Sequence, residues 1–197
     1  MVLRAGKLKI HISTLVPIFI LSIYSEIVIP LLLSALLHEL GHFTVIKIRD
    51  AKIHSLDISA GGLNITYQTA KLSYKEEILC TAAGPAASLV TSLVFSYLGE
   101  KFCIDYFYLI SGASAALFLF NCIPISILDG GKIIFLFLTS RYGPFKAEKI
   151  ILISDLTISS VFLILSLVFT ALGVLNATML LLAFVLIFSV VKSKDLV

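Results

Sequence analysis

The chain has 197 residues, 59% of them hydrophobic and 14% charged, with a mean hydropathy of +1.07 and a formal net charge of +3. A soluble domain is ordinarily about one quarter charged, so this chain has too little polar material to cover a surface in water, and a lipid bilayer is expected to solvate much of it. The small, scattered positive charge argues against nucleic-acid binding. The three cysteines, Cys80, Cys103 and Cys122, follow no zinc-knuckle or CxxC spacing and read as small core residues rather than a disulfide framework.

Arg4, Lys7 and Lys9 open the chain, and an apolar run over 11–25 follows with no small-residue cleavage site after it. It reads as a permanent membrane helix rather than a signal peptide. Further apolar runs at 27–48, 76–99, 104–138, 149–172 and 174–191 bring the expected spans to six. The fourth is too long for one simple crossing, and Pro124 interrupts it. Between the second and third lies the one sizeable polar stretch, 49–75. Its β-prone runs on either side of Gly61-Gly62 predict a hairpin. The fold class is therefore an all-α polytopic membrane protein of about six transmembrane helices, with a small membrane-associated β-hairpin between the second and third. We expect one integral membrane domain over 1–197. Of the 15 Lys and Arg residues, 13 fall on the N-terminal side of this arrangement, Lys101 lies opposite, and Lys132 sits inside the fourth span. The positive-inside rule then predicts a multi-pass cell-membrane protein with both termini in the cytoplasm.

The second span contains His38-Glu39-Leu40-Gly41-His42. Residues i and i+4 share one helix face, so both imidazoles can reach one zinc ion. Glu39, beside the first histidine, can take a proton from water at the metal; this is the H-E-x-x-H arrangement of metalloproteases. Ionisable residues inside a membrane helix are costly and usually mark a functional site. A polar patch that merely joins helices would explain one buried histidine, not two at this spacing with an acid between them.

A catalytic zinc usually takes three protein ligands. Glu26 falls toward the outer face. Asp129, near the cytoplasmic end of the fourth span, is expected at the depth of the histidines. Asp155 also falls on the cytoplasmic side but reads as a helix-end polar residue. Asp129 follows Asn121, Pro124 and a run ending in Gly130-Gly131, where a broken helix and close backbone approach are expected. Asn121 can orient a peptide backbone through its amide.

The HELGH run and the later N-x-x-P-x-x-x-x-D-G run together resemble the site-2 proteases, intramembrane zinc metalloproteases. The run AAGPAASL at 82–89 looks like the Gly-Pro helix motif of that family. The resemblance covers about residues 8–140, leaving two further helices at about 149–191. It implies that His38, His42 and Asp129 bind zinc, that Glu39 is the catalytic acid and base, and that Asn121 and Pro124 help position substrate. It also implies that the hairpin at Gly61 and Gly62 lies beside the substrate. The start KLKIHIS and the Asn-Pro-Asp block resemble the stage IV sporulation protein FB group, which releases a sporulation sigma factor from a membrane-bound precursor. That group commonly carries a C-terminal CBS domain, which is not expected here because the sequence stops just after the sixth expected span, and no insert is long enough for a PDZ domain.

The expected activity is zinc-dependent cleavage of a membrane-tethered protein near the cytoplasmic face. The lipid bilayer is the expected surrounding, and a membrane regulator or a homo-oligomer is compatible with the sequence. Two rival readings are an intramembrane metal transporter and a non-catalytic homologue. A transporter predicts polar residues continuing across the membrane, and few occur on the outer side. A non-catalytic homologue fits poorly with four intact core residues.

Overall fold

The computed structural model describes residues 2–5, 8–11, 25–49, 53–59, 62–67 and 72–172. The chain divides into two compact units, residues 1–121 and 122–197. The first holds strands β1 (Val2–Ala5) and β2 (Leu8–His11), helix α1 (Ser25–Ile48), strands β3 (Ile53–Ser59) and β4 (Gly62–Tyr67), and helices α2 (Tyr74–Phe102) and α3 (Asp105–Asn121). The second holds α4 (Asp129–Tyr142) and α5 (Pro144–Ala171).

Three helices among the described residues are long and apolar enough to cross a membrane: Glu26–Ile48, Tyr74–Phe102 and Pro144–Ala171. At 17 and 14 residues, α3 and α4 fall short of the roughly 20 needed for a simple span. The expected run at 104–138 is therefore two helices separated by residues 122–128, where Pro124 removes a backbone donor. The expected sixth span and all but the ends of the first lie outside the described residues. Burial follows a membrane protein's pattern. Small and polar groups such as Ser34, Ser88 and Ser114 are inside, while Leu31, Leu36, Leu93 and Val90 are exposed. Helices that face lipid have no reason to hide leucine, and they approach one another through small residues. Gly41 is such a point: a Cβ there would lie 2.5 Å from the Ala83 carbonyl oxygen and 2.6 Å from the Ala87 Cβ.

Helix α2 begins with a capping box. The Ser73 hydroxyl accepts from the Glu76 N–H, and the Ser73 N–H donates to the Glu76 carboxylate at 2.9 Å. Arg49, just past α1, pairs with Glu76 at 3.6 Å and ties the end of one helix to the start of the next. The strands form one sheet in the order β1-β2-β3-β4, with β4 at one edge. β3 and β4 are antiparallel, with Ser59 opposite Gly62; β2 runs parallel to β3, with Leu8 opposite Leu56. Residues 2–11 thus supply two strands that the sequence reading did not anticipate. β1 shows no alternation, β2 alternates apolar and polar over only its four residues, and β2 gains its partner β3 only through tertiary pairing. Gly61 lies outside the described residues. In the second unit, Gly143 ends α4 with φ +83° and Pro144 occupies the first turn of α5. Of the cysteines only Cys80 is buried; Cys103 and Cys122 are exposed, correcting their reading as core residues.

Candidate metal centre

His38 and His42 lie one turn apart on α1, and the fold gives each ring a fixed partner on α2. The His42 Nδ1 lies 2.9 Å from the Cys80 carbonyl oxygen. A carbonyl can only accept, so the Nδ1 carries the proton and the Nε2 becomes the electron-pair donor. The His38 Nδ1 lies 2.9 Å from the Ser88 hydroxyl, which can hold that ring in the same tautomer. The two Nε2 atoms are 3.2 Å apart, and the rings stand nearly perpendicular at 81°.

That separation bears on which ion the pair fits. Two nitrogens at about 2.0–2.1 Å from a tetrahedral zinc span an edge of roughly 3.3 Å. The observed spacing matches, and tying Nδ1 to an oxygen is the usual way a protein orients a zinc histidine. The donor set therefore suits zinc. His38 is only 5% exposed and His42 is half-buried, so an ion held there is shielded from bulk water. Glu39 is also half-buried, one residue beyond His38.

Cys80, Gly84 and Ser88 recur every four residues and form one stripe along α2. The first and last orient the two imidazoles through oxygen. Gly84 leaves room for one of them: a Cβ there would lie 2.7 Å from the His42 Cδ2 and closer still to Cε1 and Nε2. The sequence reading did not assign these roles. Gly84 and Ser88 stand inside the AAGPAASL run, and their four-residue spacing was the available signal.

Asn121 ends α3, and its side-chain amide donates to the Leu117 carbonyl at 3.0 Å. In the second unit Asp129 is the first residue of α4 and is 5% exposed. The Lys132 ammonium approaches its carboxylate at 3.4 Å. A carboxylate at a helix N-terminus is favoured by the exposed N–H groups there. Pro124 is half-buried in the turn before α4. Gly62 opens β4, while Gly61 is outside the described residues. Asp155 corrects the sequence reading. It lies in the interior of α5, not at a helix end, is 3% exposed, and accepts from the Ser126 N–H at 2.8 Å.

A histidine pair oriented by oxygen atoms and borne on a membrane-length helix can hold a metal ion. Comparison with known proteins narrows the class. Residues 98–167 match the family model for Peptidase family M50. The chain is 32% identical over 133 residues to "Zinc metalloprotease MJ0392" of Methanocaldococcus jannaschii, an alignment covering 64% of this chain and 38% of the relative. It thus spans well under half the length of that curated relative. Among solved structures it is similar to "Site-2 Protease from Methanocaldococcus jannaschii", with a TM-score of 0.74 and 26% identity over 98% of this chain and 94% of that one. The fold is similar to that of a site-2 protease, and the match to Peptidase family M50 is confined to residues 98–167.

Proposed function

We propose that this chain is a zinc-dependent intramembrane endopeptidase, a single membrane-embedded protease domain that cleaves a membrane-tethered protein near the cytoplasmic face. The observation that carries this reading is the His38–His42 pair, with its Nε2 atoms 3.2 Å apart and each Nδ1 beside an oxygen. The similarity to a zinc metalloprotease and a site-2 protease supports the same chemistry. Asp129 is the third ligand in this reading, supported by its place in the N-x-x-P-x-x-x-x-D-G run and by its burial.

Bound zinc supplies Lewis acidity toward water and toward a scissile carbonyl. The chain's own groups do the rest. His38 and His42 would hold the ion through Nε2, with Nδ1 of each turned to the Ser88 hydroxyl and the Cys80 carbonyl. Glu39 accepts the proton of the attacking water and returns it to the leaving amine. A substrate helix must unwind before its backbone can be cut, and pairing with the β4 edge from Gly62 would replace the hydrogen bonds it loses. Asn121 and Pro124 sit before Asp129 in the chain and would help align the extended segment; Gly61 would belong to the same turn.

The basic-residue asymmetry supports cytoplasmic termini and release of a cytoplasmic product. A transcription regulator freed by regulated intramembrane proteolysis, such as a pro-sigma factor in sporulation, fits that geometry. The deciding experiment is Glu39→Gln in the purified, detergent-solubilised protein. It should retain stoichiometric zinc and lose cleavage of a membrane-segment substrate. Cleavage at the wild-type rate by that variant would remove Glu39 from the mechanism.

A further inference from the structure

Asp155 is a charged residue inside an apolar membrane-length helix, a placement that costs free energy unless the group has work to do. What it touches is backbone. Its Oδ1 accepts from the Ser126 N–H at 2.8 Å, while the neighbouring Ser154 hydroxyl donates to the Pro124 carbonyl at 2.7 Å. Two consecutive side chains of α5 therefore hold both ends of the Pro124–Ser126 tripeptide. The turn also carries backbone hydrogen bonds of its own. Ile125 N–H donates to the Ile123 carbonyl at 2.8 Å, Leu128 N–H to the Ile125 carbonyl at 2.9 Å, and Lys132 N–H to the Leu128 carbonyl at 3.1 Å. Ile125 is fully buried. Gly131 packs on this turn so closely that a Cβ there would lie 2.7 Å from the Ser126 nitrogen and closer to the Ile125 carbonyl. Asp129 emerges from the end of this segment.

We propose that Asp155, assisted by Ser154, is a positioning residue that clamps the Pro124–Leu128 turn and so fixes where Asp129 presents its carboxylate. The inference rests on the reading of Asp129 as a zinc ligand. Pro124 breaks the helix and leaves the turn without a regular ladder, so side chains must satisfy the polar groups it exposes at membrane depth. A neutral serine suffices for the carbonyl. For the Ser126 N–H, a carboxylate gives the shorter and stronger charge-assisted bond. Metal affinity responds to such outer partners by about 10–100-fold.

The test is zinc affinity, measured by competition with a chromophoric chelator in detergent, for wild type, Asp155→Ala, Asp155→Asn, Ser154→Ala and Asp129→Ala. Each variant's thermal melt is followed by circular dichroism. Asp155→Ala should bind zinc about 10–100-fold more weakly. Asp155→Asn, which keeps an acceptor oxygen, should recover most of that loss. Wild-type affinity in a folded Asp155→Ala, or equal losses for Asp155→Asn and Asp155→Ala, overturns the proposal. Should Asp155→Ala fail to fold, Ser154→Ala decides: a loss of several-fold supports the clamp, and unchanged affinity overturns it. Wild-type zinc affinity in Asp129→Ala instead refutes the ligand reading on which the proposal rests, whatever Asp155 does.

Discussion

Replacing Gly84 with alanine sets two effects against each other. In a helix interior, alanine is favoured over glycine by roughly 0.5–1 kcal/mol, so α2 itself should gain stability. Against this, the new methyl would lie 2.7 Å from the His42 Cδ2 and nearer still to the nitrogen that faces His38. Ordinary contact begins at 3.4 Å, so the ring must retreat by at least about 0.7 Å, the difference of those two distances. Metal–ligand distances tolerate only about 0.2 Å. The ring can swing away cheaply, because it is the end of a side chain, but in doing so it leaves the ion. Gly84→Ala should therefore fold as well as wild type and bind zinc at least about 100-fold more weakly, the upper end of what loss of an outer partner alone produces. That is close to 2.8 kcal/mol at 1.4 kcal/mol per tenfold. Chelator competition gives the affinity, and a circular-dichroism melt in the same detergent gives the stability. Zinc affinity within threefold of wild type would show that His42 can accommodate the methyl while still ligating. Parallel loss of fold and metal would show that the clash is relieved by parting the helices rather than by moving the ring.

Ser88→Ala removes the oxygen beside the His38 Nδ1 and should weaken zinc by about 10–100-fold without changing the melt; unchanged affinity would mean that Ser88 does not orient the ring. Gly62→Pro takes an N–H donor from the start of β4, opposite Ser59, and should slow cleavage of a membrane-segment substrate severely while zinc stays bound. Equal turnover by this variant in a single-substrate assay would exclude the β4 edge from substrate handling.

The metal-binding pair was legible because an α-helix has a fixed geometry. Once residues 27–48 read as one helix, His38 and His42 at i and i+4 had to share a face, whatever surrounded them. The same held for the break at Pro124, which follows from a missing donor, and for the apolar helices, which follow from length and composition. The ring partners were not legible in this way. Ser88 and the Cys80 carbonyl reach the histidines across the α1–α2 contact, and their pairing depends on which faces Gly41, Ala83 and Ala87 bring together. Asp155 was misread for a related reason. Its local run has no helix-breaking residue or cap signal, and its partner Ser126 lies 29 residues away in the chain.

By itself, then, the sequence determined the membrane class, the helix carrying His38, Glu39 and His42, and the break before Asp129, because each depends on local periodicity or on a residue's own covalent constraint. The tertiary structure alone decided the tautomer of His42, the space Gly84 leaves for its ring, the pairing of β2 with β3, and the hydrogen bonds of Ser154 and Asp155 to the Pro124–Leu128 turn. Each of these joins groups far apart in the chain through hydrogen bonds or close packing, and no local pattern encodes such a pairing.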